Sequence, residues 1–345
     1  MRAFQITEPH KAEVVDLPVP EPGPDEVLVR MHYAGICGSD LHTLEGKHAR
    51  RTPPLITGHE GSGVVEKVGT NVKDIKPGTE CVILAEQSCG ECRWCREGHT
   101  NLCAKKVLLG TKPWPGTFSE YVVAPAANIL PLPKGLSLRL AAVTEPVAIC
   151  MHVLRQAGWQ GGESALIYGA GGIGSLLLAA CRARGMKSAV VADIKEFNVE
   201  KAREMGATTA INNGTPDDAE QALQEACGPE GVDVTFVTAH PVKIVNQSFR
   251  MTRKRGTVTL VAQFNQPGIV DIDKARIKEQ TLVSSAAANR KDFEEALEIL
   301  AAYPEYFEPA ITTEVGLDEV DDLLHDSVRP PFRARSGLSP SARRW

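Results

Sequence analysis

Three stretches of this sequence carry residue types at spacings that could do chemistry. The first lies at residues 164–193. A short apolar run, 165–168, enters Gly169-Ala170-Gly171-Gly172-Ile173-Gly174, and the helical apolar series Leu176, Leu177, Leu178, Ala180 and Cys181 follows. A second apolar run, 189–192, ends on Asp193, nineteen residues past Gly174. Strand, glycine turn, helix, strand and acid in this order form a dinucleotide-binding fingerprint. Gly169 serves the tight turn, and Gly171 lets the backbone N–H groups of Gly172 and Ile173 approach a pyrophosphate. Gly174 allows helix and strand to pack closely, and the helix N-terminus adds partial positive charge. Asp193 accepts hydrogen bonds from adenosine ribose hydroxyls and repels a 2′-phosphate, so the expected cofactor is NAD rather than NADP.

The second stretch is Cys89-x2-Cys92-x2-Cys95-x7-Cys103. Four thiolates at such spacings fit one tetrahedral zinc with no open position, a site that contributes folding energy and does no chemistry. On ligand count alone an iron–sulfur cluster is the alternative. His99, inside the same loop, reads as a surface residue. Cys81, Cys150, Cys181 and Cys227 read as buried thiols. The third stretch runs from Cys37 to His42 and gathers thiol, hydroxyl, carboxylate and imidazole in six residues. Farther on, His59 and Glu60 stand just before a β-branched run.

The elements around these groups differ along the chain. Residues 12–17 and 26–32 alternate apolar and polar in short bursts divided by Pro and Gly, which predicts a β-rich first domain. Residues 141–158 predict a helix stopped by Gly158, with Glu145 near its start. Beyond it strands at 208–212, 232–237, 257–262 and 282–285 alternate with helices at 198–205 and 216–228, the pattern of a doubly wound parallel sheet. Arg250, Arg253, Lys254 and Arg255 read as a helix C-terminus complementing its dipole. Helices are expected at 291–302 and 317–324.

The chain has 345 residues, 43% of them hydrophobic and 23% charged, as in a globular protein of two domains. A net charge of −5 gives no electrostatic reason to expect nucleic acid or an anionic membrane as partner. No apolar run reaches transmembrane length. Arg2, Glu8 and Lys11 interrupt any signal-peptide core, so the expected location is the cytoplasm, where clustered cysteines bind metal rather than form disulfides. Residues 329–345 hold five arginines, three prolines and no acid, and are expected to be a poorly ordered basic tail. A nucleic-acid factor would need a basic cysteine lobe, but Glu86, Glu91 and Glu97 there outnumber Arg93 and Arg96.

Gly58-His59-Glu60 with Gly63, Gly69 and Val72 keeps the spacing of a known signature. Over residues 1–320 the chain resembles the zinc-containing medium-chain alcohol dehydrogenase superfamily, in particular its polyol (sorbitol) and threonine dehydrogenase branch. The resemblance implies an α/β protein with a GroES-like β-rich catalytic domain and a doubly wound parallel Rossmann domain. The boundaries it implies are 1–147 for the first, with a structural zinc lobe at about 85–105, and 148–287 for the second. Residues 288–328 return to the catalytic domain. The four-cysteine motif then reads as structural zinc. The active site is expected in the cleft between the domains.

Catalytic zinc takes about three protein ligands and keeps a position open. Cys37, His59 and an acid supply sulfur, imidazole and oxygen, and Glu60 and Glu145 compete for the acid's place. In simple alcohol dehydrogenases a second cysteine matches Glu145, and the acid after the histidine is not a direct ligand. The sorbitol-dehydrogenase-like branch has a glutamate there. By resemblance Ser39 is the hydroxyl of a proton relay, with His42 carrying the proton onward. The implied reaction is hydride transfer between NAD and a secondary alcohol or ketone of a polyol, sugar, cyclitol or hydroxy amino acid. Two zinc ions per chain and a homodimer or homotetramer are implied. The rival reading is a non-catalytic member that binds NAD and zinc, which would predict a broken ligand set.

Overall fold

The computed structural model describes residues 1–214, 216–264 and 266–328. The basic tail expected at 329–345 lies outside the described residues. The chain divides into two compact units. One comprises Met1–Ala148, Asn289–Pro304 and the described residues from Ile311 onward, and the other Ile149–Ala288 with Glu305–Ala310.

The first unit is built from short antiparallel strands: β1 Arg2–Glu8, β2 Lys11–Asp16, β3 Glu26–Gly35, β4 Leu55–Ile56, β5 Glu60–Val68, β6 Glu80–Ile83, β7 Glu86–Gln87, β8 Val107–Leu108, β9 Tyr121–Pro125 and β10 Ile129–Pro131. Five of them form a sheet in the order β10-β6-β5-β3-β9, and β2-β1-β4 and β7-β8 form smaller ones. Alternation in β3 buries Val27, Val29 and Met31 with Val65, Cys81, Ile83 and Val122 on one side. A second core gathers Phe4, Ile6, Ala34, Leu41, Phe118, Val320 and Leu324, with Phe4 and Phe118 edge to face at 6.3 Å. The pairing of β3 with β5 sets Gly35 opposite Glu60 and so brings the start of the Cys37 segment to the His59-Glu60 segment.

The second unit holds β11 Ser164–Tyr168, β12 Ser188–Asp193, β13 Thr209–Asn212, β14 Val232–Val237, β15 Thr252–Leu260 and β16 Thr281–Ser284. They form one sheet in the order β13-β12-β11-β14-β15-β16, parallel at every pairing. This is the doubly wound order whose switch point lies beside its first strand, here β11. Leu166, Ile167, Val191 and Phe236 are fully buried, as continuous apolar strands covered on both faces must be.

Several boundaries differ from the sequence expectation. β1 lies ahead of the two bursts at 12–17 and 26–32 that the alternation marks. The helix expected over 141–158 is Thr144–Ala157, preceded by a turn of helix at Leu138–Ala141 whose Leu140 N–H donates to Ser137 Oγ over 3.2 Å. The helix expected from 198 starts at Glu196, and that expected from 317 is a 3₁₀ turn, Leu317–Glu319, leading into Val320–Val328.

The basic knot is the clearest correction. Arg250 lies in the last turn of helix Lys243–Met251, as expected, but Arg253, Lys254 and Arg255 lie in β15. The helix's terminal carbonyls are met instead by Lys278 Nζ, which donates to Phe249 O (3.0 Å) and Arg250 O (2.8 Å) as well as Thr252 O (2.9 Å). A residue distant in sequence adds the cation that Arg253, Lys254 and Arg255 were expected to supply.

Candidate metal centre and dinucleotide turn

Cys37 ends the segment after β3 and starts helix Gly38–Leu44. The Asp40 carboxylate accepts the Cys37 N–H over 2.9 Å and so fixes the entry to that helix. Gly35 leaves the space that the Glu60 carboxylate fills, since a Cβ on Gly35 would lie 2.0 Å from Glu60 Oε2. Thr117 Oγ1 donates to Glu60 O over 2.9 Å and holds the β5 entry. One ligating atom from each of Cys37, His59 and Glu60 lies within 4.8 Å of the others. Glu145, in helix Thr144–Ala157, stands outside that group but within electrostatic range of Cys37 and Glu60.

The electrostatics call for a cation. Burial, then the Glu60, Asp40 and Glu145 carboxylates, push the Cys37 thiol far up, and the Ser39 hydroxyl donating to the sulfur opposes them. Burial and Glu145 likewise raise Glu60 well above the usual carboxylate range. Burial, then Glu86, push Glu145 up to about 8. Glu60 Oε2 is buried with no hydrogen-bond partner among the described residues. Burial and the Arg51 charge bring His59 down to about 4, so its imidazole is neutral at pH 7 and has a lone pair to offer. A neutral imidazole, a thiol and an orphaned carboxylate oxygen at one point fit a divalent zinc.

Behind these groups is a network with no local sequence signal. Asp40 and Thr57 are fully buried, and Arg51 is 5% exposed. Arg51 Nη1 donates to Asp40 Oδ1 (2.9 Å), Ser39 Oγ (3.1 Å) and Thr57 Oγ1 (3.3 Å). Arg51 Nη2 lies 3.1 Å from His59 Nδ1, which is 4.0 Å from Asp40 Oδ1. Thr57 Oγ1 donates to Asp40 Oδ1 over 2.6 Å. Asp40 sits at a capping position that the sequence could have flagged. Arg51 and Thr57 sit in a loop and a strand end that offer no such cue.

Ser39 and His42 share helix Gly38–Leu44 at a spacing of three, which places them on one side of it. Ser39 is partly buried, whereas the His42 side chain is 50% exposed with Nδ1 3.5 Å from Glu45 Oε2.

The sulfurs of Cys89, Cys92, Cys95 and Cys103 also converge. Cys92–Cys95, Cys89–Cys103 and Cys89–Cys95 are separated by 3.4, 3.5 and 3.9 Å. A tetrahedron with Zn–S of about 2.3 Å has edges of roughly 3.8 Å, and a disulfide would need about 2.05 Å. Backbone N–H groups of Glu91 and Cys92 bring the Cys89 thiol down to about 6, favouring the thiolate that a metal needs. His99 is exposed, packed edge-on against Trp94.

At the dinucleotide turn, Gly169 has φ +96°. A Cβ on Gly174 would lie 1.8 Å from Gly169 O, whereas one on Gly171 would meet nothing within 4 Å. Helix Gly172–Ala183 starts at Gly171 with no side-chain cap, leaving its first N–H groups for a ligand. Asp193 Oδ2 accepts Ala170 N–H over 2.7 Å, and Oδ1 accepts Lys195 N–H over 2.8 Å.

Comparison with known proteins agrees with this construction. Residues 23–134 match the family model of the alcohol dehydrogenase GroES-like domain, and residues 172–302 that of the zinc-binding dehydrogenases. D-arabitol-phosphate dehydrogenase of Enterococcus avium is 33% identical over 312 residues, covering 88% of this chain and 87% of that protein. This chain belongs to the zinc-containing medium-chain alcohol dehydrogenase superfamily. D-xylulose reductase A of Aspergillus oryzae is 29% identical across 94% of this chain and 92% of its own. Among solved structures, a zinc-binding dehydrogenase of Sinorhizobium meliloti bound to NADP superposes with a TM-score of 0.90 at 28% identity, covering 100% of this chain and 99% of that one. The superfamily member described here is therefore a zinc-dependent oxidoreductase that uses a nicotinamide cofactor. No helix among the described residues is long and apolar enough to cross a membrane.

Proposed function

We propose that this dehydrogenase interconverts a secondary alcohol and a ketone on a polyol, sugar, cyclitol or hydroxy amino acid, using NAD and two zinc ions per chain. The observation that carries the reading is the convergence of Cys37, His59 and Glu60 beside the Ser39 hydroxyl. One thiolate and one carboxylate balance the two charges of the ion, and Glu145 stands where simple alcohol dehydrogenases have a second thiolate. The names of the relatives favour polyols. Asp193 favours NAD, although the Sinorhizobium meliloti neighbour holds NADP.

Cys37, His59 and Glu60 would hold the zinc, which would supply the Lewis acidity that lowers the pKa of a substrate hydroxyl. NAD supplies the hydride acceptor. The chain's own groups hold and move the proton. Ser39 Oγ receives it while passing its own onward, and the half-exposed His42 delivers it to solvent. Cys89, Cys92, Cys95 and Cys103 hold the second zinc and stabilise their lobe. The protein works in the cytoplasm as a homodimer or homotetramer. What supports the oligomer is exposed apolar surface on the second unit, where edge strand β16 carries Leu282 (40% exposed) and the segment before it carries Ile272 (57%) and Ile277 (66%).

The test is a zinc count with NAD reduction measured over a panel of polyols and L-threonine. Two zincs per chain, one lost in a folded and inactive Cys37→Ala variant, is the expected result. One zinc per chain, kept by Cys37→Ala and lost by Cys103→Ala, would mean a binding protein instead of an enzyme.

A further inference from the structure

The Arg51 side chain is 4% exposed, so it does not reach solvent, yet it touches a relay hydroxyl and a metal-ligand imidazole at once. A guanidinium has five N–H donors, no acceptor and a permanent charge. Its oxygen partners, Ser39 Oγ, Asp40 Oδ1 and Thr57 Oγ1, are therefore acceptors toward it. Ser39 Oγ has one of its lone pairs engaged by Arg51 Nη1, and this leaves the Ser39 O–H to point elsewhere. That hydroxyl is the relay group of the proposed reaction, two residues past Cys37 in the helix that Cys37 starts. The same Nη1 holds Asp40, whose other oxygen fixes the Cys37 backbone N–H. Nη2 reaches the His59 ring. Thr57 completes the arrangement by donating its proton to the Asp40 oxygen that Arg51 holds. A counter-charge for Asp40 alone would need none of the contacts to Ser39 and His59.

We propose that Arg51 is a positioning residue of this dehydrogenase: its fork fixes the Ser39 hydroxyl and the His59 ring relative to Cys37. The inference rests on reading Cys37, His59 and Glu60 as the catalytic metal site. Lysine keeps the charge but concentrates its donors at one point, and glutamine keeps a planar donor but loses the charge. Neither can span Asp40, Ser39 and His59 together.

The experiment replaces zinc by Co2+ in the full-length protein and in Arg51→Lys and Arg51→Gln. The catalytic-site spectrum is taken as the difference from Cys37→Ala, which retains the four-cysteine site. Metal uptake by the parent comes first, and a single Co2+ per chain would sink the metal-site reading itself. With two bound, both variants should show a shifted catalytic-site cobalt spectrum. Their kcat should fall about 10–100-fold, the usual cost of losing a partner behind a metal ligand. KM should stay within about three-fold of the parent, because Arg51 does not touch substrate. Parental kcat and spectrum in Arg51→Lys would overturn the proposal and leave Arg51 a counter-charge only. If neither variant folds, Thr57→Val decides, since it loosens the shared Asp40 oxygen while retaining Arg51. A shifted spectrum with kcat about 3–10-fold lower supports the proposal, and parental values in both overturn it.

Discussion

Asp193 at the end of β12 accepts the N–H of Ala170 over 2.7 Å, so the acid proposed to meet the ribose also ties down the glycine turn. One side chain would thus serve cofactor choice and turn geometry together. Asp193→Ser should raise the KM for NAD by about 10–100-fold, as expected for losing charge-assisted hydrogen bonds of about 1.5–3 kcal/mol. The preference for NAD over NADP should narrow, because the repulsion of a 2′-phosphate goes with the carboxylate. Initial rates with each cofactor measure both effects. An unchanged NAD/NADP ratio would remove Asp193 from cofactor selection.

Gly174 has no room for a methyl group. Its Cβ would lie 1.8 Å from a backbone oxygen, which cannot rotate away as a side chain could. Gly174→Ala should cost at least about 1–3 kcal/mol by overpacking and weaken NAD binding by displacing the start of helix Gly172–Ala183. Gly171→Ala, with no atom within 4 Å, should leave stability within about 0.5–1 kcal/mol of the parent while still impairing cofactor binding. Urea unfolding with NAD titration separates the two.

The two metal sites should respond differently to loss of a ligand. Cys37→Ala should stay folded and lose at least about 10³-fold in kcat, since Lewis acidity contributes several kcal/mol. Cys103→Ala should lose metal from the four-cysteine lobe and unfold at a lower temperature, because structural zinc is itself folding energy. Metal analysis beside thermal unfolding tests the contrast. Equal thermal shifts in both variants would count against it.

Asp233 offers a pH-dependent test away from both sites. Burial opposes its charge, but the Ser164 hydroxyl and N–H, at 2.6 and 2.8 Å, and Arg253, at 2.6 Å, hold its pKa down to about 2. A depressed carboxylate contributes stability above its unfolded pKa of about 3.9, and loses it as pH falls through the folded value. The Asp233 side chain is 28% exposed and its Arg253 partner 41%, so screening reduces the contribution to on the order of 1 kcal/mol. Asp233→Asn should be less stable than the parent by about that amount at pH 7, with the gap closing between about pH 4 and pH 2. Denaturant unfolding across that range gives the answer. A gap independent of pH would assign the loss to packing.

The sequence by itself determined the groups whose chemistry is set over short spans. Gly169 to Gly174 with Asp193, the four cysteines from Cys89 to Cys103, and Cys37 with His59 are each legible because motif spacing encodes a turn, a lobe or a strand start, while Glu60 and Glu145 stay in competition for the acid's place. The alternation of strand and helix after Gly158 likewise predicts the parallel sheet, since fully buried strands must be continuously apolar. Tertiary structure decided what depends on residues far apart in the chain. The β3–β5 register brings Gly35 to Glu60, and no local pattern states that a glycine there makes room for a carboxylate. Lys278 caps a helix that ends at Met251, where the neighbouring basic run had been the expected cap. Arg51 joins Asp40, Ser39, Thr57 and His59 because burial in a low-dielectric interior leaves each charge and hydroxyl to find a partner in space, and the folded loop brings them within reach.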